Sequence, residues 1–330
     1  MSKKPTLEMN QLLVKSGSAD RAESWAATRE IAKAFTTPLR DGVMSGDVLF
    51  NIFEQVDLNG GAAEFPLSFL APGTEKDFTA YTIPNEGYIP QKHVEGDYVM
   101  VPTYEIGNSI DWSLKYARDA RWDIVNRCME VLEAGFVKKF NDDGWHVLLA
   151  AGVDRNIIVY DGDANAGQFT KRLVSLMKNV MRRNGGGNSS SLNRRKLTHL
   201  AISPECQEDI RNWGVDILDE VSRREAYVAS DGSLNKIFDV TLMDMDELGV
   251  GQEYQDYFTN ALGGSLASGD VELVVGLDLN KKDSFIMPVR KPLEIFEDDM
   301  LHRHRKAGLY GWTELGFAAL DNRNVIIGSL

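Results

Sequence analysis

Two short acidic stretches are the positions where the sequence comes closest to a metal-binding pattern. Asp161-Gly162-Asp163 and Asp244-Met245-Asp246-Glu247 each place carboxylates close together. Carboxylate oxygens are the ligands that hard divalent cations prefer, and such an ion could serve a soluble enzyme. Neither stretch fills a calcium-binding loop, so the sequence favours acidic surface turns and leaves the metal site as the alternative.

The other side chains that carry chemistry are scattered. The five histidines are not spaced as zinc ligands with one another or with Cys128 and Cys206. The basic cluster at 301–306, Leu-His-Arg-His-Arg-Lys, indicates either an anion contact or a solvated strand end that balances Glu297-Asp298-Asp299, which the sequence favours. No phosphate-binding Gly-Lys-Ser/Thr loop and no Gly-x-Ser-x-Gly elbow occurs. We therefore expect no catalytic residues, no cofactor and no bound metal, and a structural role.

The composition is ordinary for a globular protein of 330 residues, with 43% hydrophobic and 26% charged residues. The sequence contains no run of about 20 apolar residues, and its first residues lack the apolar core of a secretion signal. Two cysteines predict no disulfide framework and fit synthesis in a reducing cytoplasm. The net charge of −13 disfavours tight binding to nucleic acid but is compatible with the wall of a DNA container.

Residues 1–45 have the character of an arm that lacks a core of its own. Residues 1–17 are polar, and we expect them to be mobile. The capping-box pattern of Asp20 and Glu23 then predicts a helix to Phe35. Pro38, followed by Asp41-Gly42, is expected to end that helix.

Residues 46–106 hold half of the ten prolines and predict a long β-hairpin. Apolar residues alternate along two arms on either side of a polar, turn-rich stretch at 71–77. These residues are Phe65, Leu67 and Phe69 on one arm, and Tyr98, Met100, Pro102, Tyr104 and Ile106 on the other. A lone hairpin is marginally stable, so this one needs a partner surface on its own chain or on a neighbouring copy.

Residues 112–151 predict the longest helix. Two apolar rows run along it at helical spacing. The first row is Ile124, Cys128, Val131, Leu132 and Gly135, and the second is Val125, Met129, Leu132, Phe136 and Phe140. We expect Leu132 to be buried and the polar stretch Asn141-Asp142-Asp143-Gly144 to kink or interrupt the helix.

Residues 152–269 predict a compact α/β unit, and residues 270–330 are rich in predicted strands. Ser203-Pro204 has the form of an N-cap followed by proline at the first helical position. The last segment, from Tyr310 to Ile327, is predicted as one long strand. Strands that return to the long helix would complete a layered α+β body.

The order of these elements resembles the major capsid proteins of tailed bacteriophages, which share the Hong Kong 97-type fold. Three stretches carry the resemblance: Pro84–Pro90 with the strand Tyr98–Ile106 and the helix from Trp112, then Leu200–Glu205, and finally Gly308–Trp312 with Leu315–Asp321. They resemble the passage from the extended loop into the spine helix, the strand-to-helix step of the axial domain, and the closing strand.

This resemblance implies a domain order for an α+β fold. The expected parts are an N-terminal arm (1–45), an extended β-hairpin loop (46–106), a peripheral domain with a spine helix (107–151), an axial α/β domain (152–269) and returning strands of the peripheral domain (270–330). The hairpin of residues 57–105 would lie over a neighbouring subunit.

The resemblance also implies self-assembly into pentamers and hexamers of an icosahedral virion shell around double-stranded DNA, without sequence-specific DNA binding. It implies a portal protein as a partner, leaves a decoration protein open, and implies neither an enzyme activity nor a membrane. Because only about 45 residues precede the loop region, a separate scaffolding protein is expected. Some members crosslink a loop lysine to an asparagine, but Lys76, Lys92, Asn322 and Asn324 match no family motif, so no crosslink is assigned.

The shell of an encapsulin-like bacterial compartment is the alternative within the same fold. Such a shell closes around a cargo enzyme and needs neither scaffold nor portal. The chain is longer than expected for that class and carries no cargo-docking motif. A third hypothesis is the soluble metal enzyme built on the acidic turns.

Overall fold

The computed structural model describes residues 7–46, 49–58, 60–66, 98–184, 195–213, 236–264, 272–280 and 284–330. The chain forms two compact units, and each unit is built from three segments that alternate with those of the other unit along the sequence. Unit 1 contains the described residues of Met1–Glu64, Met100–Gly144 and Ile286–Ala318, and unit 2 contains those of Phe65–Val99, Trp145–Phe285 and Ala319–Leu330.

The N-terminal part of unit 1 is more helical than the sequence predicts. Its helices are α1 (Leu7–Ser16), α2 (Arg21–Gly46) and α3 (Leu49–Ile52). The expectation of a mobile segment was therefore wrong for residues 7–16. Asp20 does cap α2, because its carboxylate accepts a hydrogen bond from the Ala22 N–H at 3.1 Å.

Helix α2 continues through Pro38 and Gly42, where we expected it to end. Leu39 and Val43 are buried, and this packing outweighs the hydrogen bond lost at the proline, a cost of about 3 kcal/mol. Gly42 is placed where a Cβ atom would collide with the Glu133 carboxylate. The glycine thus permits a close approach instead of breaking the helix.

A five-stranded sheet forms the centre of unit 1, in the order β1-β10-β11-β4, with β12 also paired to β10. The strands are β1 (Glu54–Asp57), β4 (Tyr104–Ser113), β10 (Phe285–Glu297), β11 (Lys306–Leu315) and β12 (Ala318–Ala319). β1 pairs parallel to β10, whereas β10–β11 and β11–β4 are antiparallel. The register of β10 shifts between Val289 and Lys291 and again between Lys291 and Glu294. The second shift includes Pro292, which cannot donate to a ladder.

Two helices follow β4. The Ser113 hydroxyl caps α4 (Leu114–Arg118) by accepting from the Lys115 N–H, and α5 runs from Trp122 to Asp154. The predicted helix therefore begins later than Trp112, which belongs to β4. No kink divides α5 at Asn141–Gly144, since Gly144 lies where a side chain would collide with Leu49.

Unit 2 is built on a six-stranded mixed sheet in the order β5-β13-β9-β6-β8-β7. The strands are β5 (Ile158–Tyr160), β6 (His199–Ile202), β7 (Lys236–Ile237), β8 (Val240–Asp244), β9 (Leu273–Leu277) and β13 (Val325–Ser329). β13 lies between β5 and β9, parallel to the first and antiparallel to the second. Every residue of β9 and β13 is buried.

Helices also belong to unit 2, and one of them begins where the sequence predicts. They are α6 (Lys171–Asn184), α7 (Pro204–Asn212) and α8 (Glu253–Asp256), the last continuing as one π-helical turn, Tyr257–Ala261. The N-cap at Ser203 and the proline that follows it are confirmed. Leu173 and Met177 of α6 pack in one core cluster with Leu200 of β6 and Ile326 of β13.

The strands of residues 270–330 divide between both sheets, whereas the sequence-based division keeps them together. β10 and β11 lie in the sheet of unit 1, and β9 and β13 lie in that of unit 2. The predicted strand Tyr310–Ile327 is three strands, because the 3₁₀ turn Asn322–Asn324 and the segment after Leu315 interrupt it.

Most of the predicted hairpin, residues 67–97, lies outside the described residues. Its two ends are described: β2 (Glu64–Pro66) pairs with β3 (Tyr98–Met100) in a two-stranded sheet. Next to it, the Val101 N–H donates to the Ala63 carbonyl at 2.9 Å. Among the described helices, none has the length and apolar content of a membrane span.

Candidate assembly surfaces

Strand β3 exposes large apolar side chains. Tyr98 is 68% exposed and Met100 is 67% exposed, and Val99 between them is exposed as well. The next residue, Val101, is 3% exposed. All three side chains of β3 are thus exposed, and Val101 is the first buried residue in the described segment that begins at Tyr98.

Strand β4 forms one edge of the sheet in unit 1. It pairs with β11 over its full length, from Tyr104 opposite Leu315 to Ser113 opposite Lys306. A groove of about 550 Å³ runs beside it, lined by residues 104–108 of β4 and by Gly135, Phe136 and Lys139 of α5. An edge strand beside an open groove can accept an added strand or an extended segment.

Charges at the rim of this groove are matched. Asp143 accepts hydrogen bonds from the Tyr104 hydroxyl at 2.8 Å and from the Lys139 ammonium at 2.7 Å. Burial and the neighbouring Asp143 carboxylate raise the pKa of Tyr104, so its phenol stays protonated. The groove therefore has a mixed polar and apolar lining, and the Lys139–Asp143 ion pair neutralises one part of its rim.

The two apolar rows of α5 differ in burial. The second predicted row is confirmed as a core row: Val125, Met129, Leu132, Phe136 and Phe140 are all buried. In the first row only the shared Leu132 is buried, because Val131 is 51% exposed, Gly135 is exposed, and Ile124 and Cys128 are half-buried. The burial expected of Leu132 is confirmed, whereas the rest of the first row leaves an apolar strip at the surface.

The carboxylates of the first acidic turn are held by an arginine. Arg172 forms ion pairs with Asp161 and Asp163, and Asp161 also accepts from the Thr170 hydroxyl at 2.7 Å. The Asp163 N–H donates to Asp161. Arg172 thus occupies the position at which a cation would have to bind.

The second acidic stretch divides between two elements. Asp244 ends β8, and Asp246 begins the 3₁₀ turn Asp246–Leu248. Within the described ranges, no cluster of three or more acidic, histidine or cysteine side chains has the arrangement of a metal site.

Most of the basic cluster at 301–306 lies in a 3₁₀ helix before β11, and its residues from Arg303 to Lys306 are exposed, as a solvated cluster would be. Asp299–His304 is a 3₁₀ helix, and the Asp298 side chain caps it by accepting from the Met300 N–H. Lys306 begins β11 and forms an ion pair with Asp111 of β4 at 2.7 Å. The Nε2 atom of His302 lies 3.3 Å from the Ser18 carbonyl. These contacts give the cluster a structural role within unit 1.

Sequence reasoning missed a buried polar group in unit 2. Glu272 is 4% exposed and accepts a hydrogen bond from the Ser203 hydroxyl at 2.8 Å. The Cys206 thiol lies 3.2 Å from the same carboxylate oxygen. Burial raises the pKa of Glu272, and Glu205 and Asp209 raise it further, against the effect of the two hydrogen bonds. Sixty-nine positions separate Ser203 from Glu272, so no local motif reveals the pair.

Two of the four crosslink candidates are among the described residues and two are not. Lys76 and Lys92 lie outside the described residues. Asn322 donates to Asp154 at 2.6 Å, and Asn324 is fully buried and donates to the Ser284 hydroxyl.

Comparison with solved structures identifies the fold. The chain superposes on a structure from Microbacterium phage Oxtober96 with a TM-score of 0.57 and 11% identity, covering 86% of this chain and 90% of that one. It matches the cyanophage Pam1 capsid asymmetric unit with a TM-score of 0.57 and 14% identity, over 84% and 88% of the two chains. The capsid of Myoviridae phage XM1 gives 0.52 and 13%, over 86% and 90%.

The chain has the phage capsid fold. This confirms the α+β, Hong Kong 97-type fold predicted from the order of the elements. No protein-family model and no curated protein matches the sequence. The capsid fold is therefore preserved here at 11–14% identity to the solved structures.

Proposed function

We propose that this chain is the major capsid protein of a tailed bacteriophage and assembles into pentamers and hexamers of an icosahedral shell that encloses double-stranded DNA. The observation that carries the proposal is a match to capsid structures over more than four fifths of the chain. A match of this extent to capsid structures favours a structural role over catalysis. The acidic net charge is consistent with a shell wall that does not bind the enclosed DNA tightly.

The exposed apolar surfaces support assembly. β3 presents Tyr98 and Met100, and the groove beside β4 is open along residues 104–108. Burying such surface against another copy stabilises a contact by about 25 cal/mol per Å² of apolar area. The hairpin of one subunit, which β2 and β3 begin, would lie over its neighbour in this proposal.

The domain division follows as part of the proposal. Residues 1–45 would be the N-terminal arm, 46–106 the extended loop and 107–151 the peripheral domain with α5 as its spine helix. Residues 152–269 would be the axial domain at the centre of each capsomer. β10 and β11 would return to the peripheral domain, and β9 and β13, which share the sheet of unit 2, would go with the axial domain.

The proposed partners follow from the same role. The shell would require a separate scaffolding protein, a portal protein and, in some forms, a decoration protein. Packaged double-stranded DNA would lie inside without sequence-specific contacts. The subunit would be synthesised in the host cytoplasm and would end in the virion.

Imaging of the purified full chain tests the proposal directly. We expect negative-stain micrographs to show rings or closed shells, and native mass spectrometry to show hexamers or pentamers. A crowding agent replaces the concentrating effect of a scaffold. A chain that stays monomeric at high protein concentration and with the crowding agent would contradict the capsid role.

Deleting residues 72–83 tests the proposal that the extended loop contacts a neighbouring subunit. We expect a subunit that keeps its circular dichroism spectrum and melting temperature but forms few rings or shells. A variant in which Gly and Ser replace these twelve residues at the same length is the matched control. It separates the effect of the side chains from that of the length. Unfolding of the isolated subunit on deletion would contradict this assignment.

A further inference from the structure

Four segments of unit 2 bring three guanidinium groups and an amide around one carboxylate. Arg155 follows the end of α5, Asn184 ends α6, Arg195 lies before β6, and Arg323 belongs to the 3₁₀ turn before β13. Asp321 lies among them. We refer to these five residues as the arginine cluster.

Two of the arginines, Arg323 and Arg195, bind the Asp321 carboxylate. Arg323 donates two hydrogen bonds to it, from Nε at 2.7 Å and from Nη2 at 2.8 Å. Arg195 forms an ion pair with the same carboxylate. Although burial alone would raise the pKa of Asp321, the hydrogen bonds and charge of Arg323 and the charge of Arg195 lower it. Asp321 is therefore ionised and carries one negative charge against three positive ones.

A second carboxylate, Asp154, acts on Arg155 but leaves the three arginines with one positive charge in excess of the two carboxylates. Asp154 is exposed and accepts a hydrogen bond from the Asn322 side chain at 2.6 Å. Arg155 instead contacts Asn184, whose oxygen lies 3.5 Å from the arginine Nη2. Burial lowers the pKa of Arg155, the Asp321 and Asp154 charges raise it, and the Arg323 charge lowers it, so that the pKa is lowered overall.

Three buried donors of the cluster have no hydrogen-bond partner among the described residues. They are Nη1 of Arg155, Nδ2 of Asn184 and Nε of Arg195. Arg195 is 5% exposed and Asn184 is 8% exposed, so bulk water does not satisfy their donors. Buried unpaired donors and excess buried charge are both costly, and one group that accepts hydrogen bonds and carries negative charge would relieve both.

We propose that the arginine cluster binds one inorganic oxyanion of the size and charge of phosphate per chain. Guanidinium groups suit phosphate oxygens, because their planar forks donate paired, charge-assisted hydrogen bonds. A trapped water would satisfy donors but would supply no charge. This site is independent of shell assembly, since all its residues belong to one unit of one chain.

Asn184→Asp tests the proposal by placing a carboxylate where the anion is expected to act. Without phosphate we expect the variant to melt about 2–4 °C higher than the wild type. The change alone would be unfavourable, since a negative charge in the last turn of a helix opposes the helix dipole. Asn179→Asp is the matched control, because Asn179 is exposed on the same helix.

Isothermal titration of the full chain with potassium phosphate, against potassium chloride of equal ionic strength, measures the site. We expect saturable binding of one phosphate per chain in the wild type and in Asn179→Asp. In Asn184→Asp, and in Arg155→Gln, the affinity should fall about 10–100-fold, as for one lost charge-assisted hydrogen bond. Arg155 is only half-buried, so its variant should fold even if the Asn184 variant does not.

Nucleic acid is the other source of phosphate oxygens. Titration with a short single-stranded DNA oligonucleotide tests whether the arginine cluster binds nucleic acid instead of free phosphate. Oligonucleotide binding that Asn184→Asp removes, without binding of free phosphate, would overturn the assignment of a small anion. An absence of saturable phosphate binding in the wild type would overturn the site itself. Equal phosphate affinity in the wild type, Asn184→Asp and Arg155→Gln would also overturn it.

Discussion

The two apolar rows of α5 have different surroundings although the sequence spaces them alike. The row through Met129 and Phe136 is buried within unit 1, whereas the row through Val131 and Gly135 reaches the surface. Two strands repeat the contrast: all residues of β9 are buried, and all those of β3 are exposed. An apolar pattern thus marks a surface that must be covered, without stating whether the same chain covers it.

The largest effect on stability is expected from the buried row. Leu132→Ala should lower the free energy of unfolding by about 2–5 kcal/mol, because Leu132 is 1% exposed and its loss leaves a cavity. Chemical denaturation followed by circular dichroism measures the difference. Val131→Ala, one position away on the exposed row, should cost less than about 1 kcal/mol. Equal losses in both variants would remove the distinction between the rows.

A smaller effect on stability is expected at Glu272, whose buried side chain is polar whereas that of Leu132 is apolar. Glu272→Gln should raise the free energy of unfolding at pH 7 by about 0.5–1.5 kcal/mol, because it removes a carboxyl group whose ionised form is disfavoured by burial. Glu208→Gln, exposed on α7, is the control and should change little.

The pH dependence gives the same prediction an independent measure. Burial raises the folded-state pKa of Glu272 above the value of about 4.5 that an exposed glutamate has, so the folded state holds this proton more tightly. Its contribution to stability is therefore present at low pH and is lost as the pH rises from about 4.5 through the folded pKa. Urea titrations between pH 5 and 8 should show this decline in the wild type but not in Glu272→Gln. A decline in both would assign it to another group.

The smallest effect on folding is expected at β3. The double variant Tyr98→Ser, Met100→Ser should change the free energy of unfolding by less than about 0.5–1 kcal/mol, because both side chains are exposed. Its sedimentation profile should nevertheless lose the large assemblies that the wild type forms. Intact assembly in this variant would mean that β3 does not serve a neighbouring copy.

Local signals predicted much of the fold. Ser203 and Pro204 marked the start of α7, and Asp20 marked the start of α2. The errors arose where distant packing overrides local preference, as at Pro38 and Gly144, which lie inside helices. Glycine can break a helix or admit a close neighbour, and the neighbours of Gly42 and Gly144 are distant in sequence.

The polar sites could not be predicted for a related reason. Arg155 and Arg323 belong to one cluster but are far apart in the sequence, and the Glu272 carboxylate meets Cys206 from 66 positions away. Spacing rules detect sites that one helix, turn or loop assembles. A site assembled by sheet topology becomes visible only once the strand order is known.

The central place of β13 in the sheet of unit 2 bears on when this unit can form during translation. β5 joins β9 only through β13, which the ribosome makes after every other described strand of that sheet. A nascent chain halted before residue 325 would therefore carry β5 and β9 with their facing edges unpaired. Competence for assembly would be withheld until synthesis has passed β13, so that incomplete chains are not built into larger structures.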